Sequence, residues 1–438
     1  MLDRRDVHMV FQPLFDLMSG EIVAFEALAR GPAGTQFASP FAMFTAAREA
    51  GRIAELDWVC RAAAFQAFFD ADLPPSMSLF VNIEPETIAT QCPANLQGVV
   101  ARAESLLRVF VEVNDAALAS DPAGVMVAVD RARGMGWGIA MDDVGSSRAP
   151  VAMLPIVNAD LVKLDLRRLG QTDAADASAI ISSVLRHVEM SGATLLAEGI
   201  ETEADAAWAR ALGATYGQGH FLGLPGPLRD HYSAPRAPVR LLVASRHDEP
   251  FDSTFELLSG LSFQRMTFET FYRLVGVMAF SPRSAGSWPA YFIGLSRDGV
   301  LPPELVQEVE RVPQSTLMWM TFGTELSAEP VPGMRGVRLA QDDPLADERF
   351  FLMLSDHAPV AVFARQCPDG LYDVVVTQNR DVVHGAAHGL IRRIPSPGAD
   401  NRALAVQLVV DDAASDSDGR DDVDDLAVEK RGWRRKAK

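Results

Sequence analysis

Cysteine is scarce in this sequence. Cys60, Cys92 and Cys367 are spread over 438 positions, which excludes a disulfide framework and a cysteine-rich zinc module, whose ligands come in close pairs. Long apolar runs are missing too. No stretch approaches the roughly 20 residues that a membrane-spanning helix needs. The opening residues from Met1 to His8 lack the apolar stretch of a signal peptide. A surplus of basic charge is also missing. Lys and Arg total 40 against 58 Asp and Glu, a formal net charge of −18, the wrong sign for gripping a nucleic-acid backbone. These absences predict a cytoplasmic chain with no membrane span and no DNA partner.

What is present is apolar bulk and rhythm. Hydrophobic residues make up 48% of the chain, enough for a sizeable core, and the length suits more than one domain. Short strand-like runs recur at Val7–Phe11, Ile22–Leu28, Leu79–Ile83, Val109–Val113, Gly138–Met141, Leu161–Leu164, Thr194–Ala197 and Thr215–Gly217. Between them, Phe41–Ala50, Glu55–Phe69, Gly124–Met135, Ala175–Met190 and Glu203–Leu212 space apolar residues as helices do. Strand followed by helix, about eight times over, predicts an α/β fold. A TIM-like parallel (β/α)8 barrel over residues 1–235 is the first expectation, and a doubly wound open sheet is the alternative.

Proline-containing stretches Leu224–Leu228 and Ser233–Pro238 break the rhythm. A second, mixed α/β domain is expected over 236–396. Its strands are expected at Arg240–Ala244, Ala290–Leu295, Thr316–Phe322, Phe350–Leu354, Val360–Ala364 and Tyr372–Thr377. Its helices are expected at Thr267–Val277, Pro303–Val312 and Val382–Arg392. Residues 397–438 form a tail with eight aspartates between Asp411 and Asp425 and a basic end. Their low apolar content predicts disorder.

The strand ends of the first region carry the chemistry. Glu26 lies in the second strand, Asn82 closes the third, Glu112 the fourth, and Asp142 and Asp143 the fifth. Lys163 falls in the sixth, Glu198 ends the seventh, and Gln218 follows the eighth. In a barrel these converge on the C-terminal mouth, where such folds place their sites. Five carboxylates and one amide oxygen in one cleft repel one another, and one lysine compensates too little. Oxygen-only ligands suit hard divalent cations better than zinc. An adjacent Asp-Asp pair can bridge two ions, as two-metal phosphodiester hydrolysis requires, and Lys163 can orient the attacking water.

At these residues the chain resembles the EAL family of cyclic-di-GMP phosphodiesterases. Seven motifs follow in register: Gln12-Pro13, Glu26-Ala27-Leu28-Ala29-Arg30, Val81-Asn82-Ile83, Asp142-Asp143-Val144-Gly145, Val162-Lys163-Leu164-Asp165, Ala197-Glu198-Gly199-Ile200-Glu201 and Gly217-Gln218-Gly219. The resemblance implies hydrolysis of cyclic-di-GMP to linear pGpG with two Mg2+ or Mn2+ ions. Glu26, Asn82, Glu112 and Asp142 would hold one ion, and Asp142, Asp143 and Glu198 the other. Lys163 would act on the water, with Glu26 and Glu198 completing the catalytic set. Gln12, Arg30 and Gln218 would bind substrate, and Glu201 would brace the loop after the fifth strand. A homodimer is implied as well.

The chain departs from the family pattern in the loop Ser146–Pro150, at Asp115, and at Leu224. The altered loop motivates an alternative: a cyclic-di-GMP receptor or scaffold that does not turn over. Farther on, Asp342–Glu348 and Val374–Arg393 resemble the DICT sensory domain, which implies a ligand or protein partner there. His384 and His388 stand four apart on an expected helix, a spacing that can bind metal; a packed or solvated helix face is the plainer reading.

Overall fold

The computed structural model describes residues 6–84, 87, 90–114, 117–118, 121–145, 149–229, 231–242, 251–279, 289–297, 318–355 and 359–394. Asp115, the helix expected at Pro303–Val312 and the tail from 397 lie outside them. So do Ser146–Arg148 of the loop after the fifth strand.

Alternation of side chains organises the first sheet. Its strands are β1 (His8–Asp16), β2 (Ile22–Arg30), β3 (Ser78–Asn82), β4 (Arg108–Val113), β5 (Gly138–Val144), β6 (Leu161–Asp165), β7 (Thr194–Glu198) and β8 (Tyr216–Gly217). Successive residues on a strand point to opposite faces. One set, Leu14, Ala24, Phe80, Phe110, Ala140, Leu161, Leu196 and Tyr216, forms an apolar inner floor, where the Phe80 and Phe110 rings stack at 4.7 Å. The other set, including Phe25, Leu79, Val81, Val109, Val111 and Val162, joins a larger outer core. The eight strands close into a barrel in chain order, which excludes the open doubly wound sheet.

One strand corrects the expectation of a wholly parallel barrel. β1 runs antiparallel to both β2 and β8, while β2 to β8 are mutually parallel. A tight turn joins β1 to β2 in place of a helix. The Asp16 carboxylate accepts from the Met18 and Ser19 backbone N–H groups at 3.0 and 2.7 Å. Gly20 takes φ +72°, a conformation that costs glycine nothing.

Helices α1 (Pro40–Glu49), α2 (Ile53–Asp70), α3 (Gln97–Leu106), α4 (Pro122–Gly134), α5 (Ala149–Val157), α6 (Leu166–Gln171), α7 (Ala174–Ser191) and α8 (Glu203–Ala211) follow the strands. Ser39, Asp121, Asp165, Asp173 and Thr202 each cap a helix start with a side-chain oxygen. The sequence reading assigned neither α3 nor α5. In α5 the segment is apolar nearly throughout and carries Pro155, so it has no polar face to mark a helical period.

The strand expected at Arg240–Ala244 is also corrected. Residues 240–242 are not in a strand. This stretch runs against the barrel bottom instead, with Val239 fully buried and Leu241 packed on the inner floor. The Asp160 carboxylate, itself buried, ties the stretch down. Its Oδ1 accepts from Leu242 N–H at 2.6 Å and its Oδ2 from Ile139 N–H at 2.8 Å. Asp160→Ala leaves both N–H groups without that partner. At roughly 1–3 kcal/mol for each such group, unfolding in denaturant should show a loss of about 2–6 kcal/mol.

A second sheet of seven strands follows. Its strands are β9 (Gln264–Met266), β10 (Ala290–Leu295), β11 (Met318–Gly323), β12 (Arg335–Arg338), β13 (Glu348–Leu354), β14 (Val360–Gln366) and β15 (Tyr372–Thr377), in the order β12-β11-β10-β13-β14-β15-β9. The sequence reading missed the short β9 and β12. Tyr291, Ile293, Trp319 and Phe351 face α9 (Phe268–Ala279). On the opposite face Phe292, Phe322, Phe350 and Phe363 share one core with barrel residues. Between that face and the barrel lies α10 (Arg380–Ile391), with Val383, Ala386, Ala387, Leu390 and Ile391 buried. It touches α4 and α5 of the barrel, and Arg392 just beyond it pairs with Asp130 at 2.7 Å.

Candidate active site

The inner floor decides where the polar residues stand. Two positions beyond each floor residue, the side chain returns to the barrel interior one level higher. Ala24 leads to Glu26, Phe80 to Asn82, Phe110 to Glu112, Ala140 to Asp142, Leu161 to Lys163, Leu196 to Glu198 and Tyr216 to Gln218. On the antiparallel β1 the same step runs backwards, from Leu14 to Gln12. A single geometric rule therefore gathers the polar residues of eight strands at one mouth.

At the centre is Lys163, about 1% exposed. Its Nζ lies 2.6 Å from Glu112 Oε1, 2.8 Å from Asp142 Oδ1, 2.8 Å from Glu198 Oε1 and 3.4 Å from Glu26 Oε2. Two amides brace the ring: Asn82 Nδ2 donates to Glu112 Oε2 at 2.8 Å, and Gln218 Nε2 to Glu26 Oε2 at 2.8 Å. Burial by itself would lower the Lys163 pKa. Asp142, Glu112, Glu198 and Glu26 overcome it and hold the ammonium well above the ordinary lysine value. Burial pushes the Glu112 and Glu198 carboxyls well above the usual carboxylate range. Glu26 and Asp142 add to the rise in both, and Lys163 opposes it. One cation among four crowded acids, two of them buried and two half-buried, is undercompensated.

The remaining expected residues fall in different places. Gln12 lines the same cavity, about 430 Å3, together with Glu26, Asp142, Asp143, Lys163, Glu198, Glu201 and Gln218. Asp143 takes φ +59°, and its Oδ1 meets Arg168 3.1 Å away. Glu201 pairs with Arg167 of α6 at 3.3 Å; the loop it was expected to brace includes Ser146–Arg148, outside the described residues. Arg30 donates to its neighbour's carbonyl, Ala29 O, at 2.8 Å. It lines an adjoining cavity of about 370 Å3 with Arg48, Phe41, Phe44 and Asn82.

Sequence reasoning missed two groups here. Asp165 caps α6 by accepting from Arg167 N–H at 2.8 Å and Arg168 N–H at 3.2 Å. Arg167 and Arg168 then bring positive charge to the acidic cavity. The available signal was an aspartate directly before a short helical segment, the position of a cap.

The fit to divalent ions rests on the donor set. Asp142 Oδ1 is buried near Nζ but forms no aligned hydrogen bond, and Gln218 Oε1 is buried without a partner. Hard oxygen donors that are crowded and underprovided suit Mg2+-like ions. With the carboxylates gathered on the ammonium, no three His, Cys, Asp or Glu among the described residues form a ready metal cage.

His384 and His388 line a separate cavity of about 180 Å3 with His187 of α7. Burial lowers the His187 pKa to about 4, and His388 is buried as well, in keeping with a packed helix face.

The fold and site define a class: a closed βα barrel whose C-terminal mouth holds an acidic ring around a buried lysine. Residues 1–225, just over half of the chain, match the family model described as EAL domain, and the chain belongs to that family. A relative in Escherichia coli named "Probable cyclic di-GMP phosphodiesterase PdeB" is 26% identical over 233 residues, covering 52% of this chain and 44% of its own length. A cyclic di-GMP phosphodiesterase of Pseudomonas aeruginosa is 29% identical over 228 residues, covering 50% of this chain and 38% of its own. The chain thus spans less than half the length of these curated relatives. Among solved structures, the PaMucR phosphodiesterase in complex with c-di-GMP is 26% identical. It has a TM-score of 0.43, over 52% of this chain and 94% of that one. Klebsiella pneumoniae BlrP1 in a manganese and cyclic di-GMP complex is also 26% identical. Its TM-score is 0.43, over 50% of this chain and 56% of that one. No helix among the described residues is long and apolar enough to cross a membrane.

Proposed function

We propose that this chain is a metal-dependent phosphodiesterase that hydrolyses cyclic-di-GMP to linear pGpG. The observation that carries the reading is the ring of Glu26, Glu112, Asp142 and Glu198 closed on Lys163 at the mouth of an EAL-family barrel. Glu26, Asn82, Glu112 and Asp142 would hold one Mg2+ or Mn2+ ion, and Asp142, Asp143 and Glu198 a second. Such ions supply Lewis acidity toward a phosphodiester and make a water acidic enough to attack it.

The chain's own residues do the rest. Lys163, at the centre of the ring, would orient the attacking water through Nζ. Asn82 and Gln218 hold Glu112 and Glu26 in orientation before any ligand arrives, as second partners of metal ligands do. Gln12 and Gln218 would meet the ligand in the acidic cavity. Arg30, across Asn82 in the adjoining cavity, offers a planar fork for a phosphate.

We further propose that residues 236–396 form a DICT-like sensory domain that modulates the barrel, with 397–438 as a separate tail. Its route would be α10, which packs on α5, the helix that begins soon after the Asp142-Asp143 pair. A second reading, a cyclic-di-GMP receptor without turnover, is favoured by one observation: Asp143 is engaged by Arg168. Incubation of the full chain with cyclic-di-GMP and Mn2+, followed by chromatography, separates the two. The enzyme reading expects pGpG. Tight binding with no product would leave the receptor.

A further inference from the structure

The acids at the mouth are shared between two cations. Lys163 gathers Glu26, Glu112, Asp142 and Glu198. Asp143 instead meets Arg168, whose Nη2 lies 3.1 Å from Asp143 Oδ1 while its Nε lies 3.3 Å from Asp165 Oδ2. Asp165 is itself fixed as the cap of α6. One guanidinium fork therefore bridges two aspartates, one of which sits in the left-handed backbone region at φ +59°. Such a conformation persists only where its surroundings hold it. The Arg168 side chain is 45% exposed, so it can leave for solvent without burying an uncompensated charge.

We propose that Arg168 is a resident cation that competes with the second divalent ion for Asp143, and so sets the metal concentration at which the site becomes complete. The inference rests on the two-ion reading above. A guanidinium held on a ligand oxygen opposes an incoming dication, because like charges repel and the ion must take that oxygen from it. The first ion meets only the Lys163 ring and is little affected. The second must displace Arg168 from Asp143. Arg168 acts through Asp143 and is a positioning residue. Its sign is what distinguishes it: a brace for Asp143 would help the second ion, and a competitor hinders it.

Calorimetric titration of the full chain with Mn2+, without nucleotide, reads this directly. The wild type should bind two ions, the second more weakly. Arg168→Gln should tighten the second step about tenfold and leave the first within about twofold. Arg168→Lys, which keeps the charge, should preserve the gap. The backbone bonds to Asp165 survive both substitutions, and thermal unfolding confirms that the variants are folded. A second step that is unchanged or weaker in Arg168→Gln overturns the competition. No Mn2+ bound by either wild type or Arg168→Gln would overturn it together with the two-ion reading, an outcome distinct from two ions with an unaltered gap.

Discussion

Lys163→Met should be among the most destabilising single changes in the barrel when divalent ions are chelated, and much milder when they are supplied. The ammonium is buried and pairs with four carboxylates. Removing one member of a buried charge cluster strands the others, at a cost of roughly 3–5 kcal/mol, or on the order of 10 °C in midpoint for a domain this size. The pH dependence follows from the acids. Burial already raises Glu112 and Glu198, and Lys163 works against that rise. Without the lysine they rise further. A carboxyl whose folded pKa is raised costs nothing below its unfolded value of about 4.5 and costs progressively more as pH climbs through the folded value. The penalty of Lys163→Met should therefore shrink as pH falls toward 5 and grow toward 8. Added Mn2+ should raise the midpoint of the variant more than that of the wild type. Differential scanning fluorimetry in chelator and in Mn2+ measures all of this. A variant as stable as wild type at pH 8 in chelator would remove Lys163 from the centre of the ring.

Glu26→Gln should reduce hydrolysis of cyclic-di-GMP on the order of a thousandfold, the scale of losing one preorganised electrostatic contact to a charged transition state. The substitution keeps the side chain's volume and its ability to meet Gln218, now 2.8 Å away. It removes the charge that faces Lys163 and, in the proposed mechanism, an ion. Glu26→Ala should do the same, so the effect tracks charge and not shape. Gln218→Ala removes the brace on Glu26 together with the proposed substrate contact, yet keeps every carboxylate, and should cost about 10–100-fold, as loss of a partner that orients a ligand does. Turnover by Glu26→Gln within tenfold of wild type would take Glu26 out of the reacting centre.

Much of this was legible in the sequence because strands and sites obey the same period. The short apolar run at Leu79–Ile83 predicted β3, and the two-residue period of a strand then places Asn82 at the mouth, one level above Phe80. Direction was not legible. A strand followed by a turn reads like any other strand, and only pairing reveals that β1 runs backwards. Helix α5 was hidden by uniform apolarity, and β12 by its brevity. At the site, the acids were visible as strand-ending residues, but their division between Lys163 and Arg168 was not. Arg167-Arg168 in the sequence looks like an ordinary solvated helix start. It becomes part of the site only once Asp165 caps α6 beside Asp143.

The central claim is that the carboxylates around Lys163 hold divalent ions. Anomalous diffraction from crystals of the full chain grown with Mn2+ and cyclic-di-GMP tests it most directly. The expected map has two manganese peaks inside the barrel mouth, one beside Glu26, Asn82, Glu112 and Asp142 and one beside Asp143 and Glu198. A mouth without a peak, its acids still closed on the Lys163 ammonium while nucleotide is bound, would contradict it.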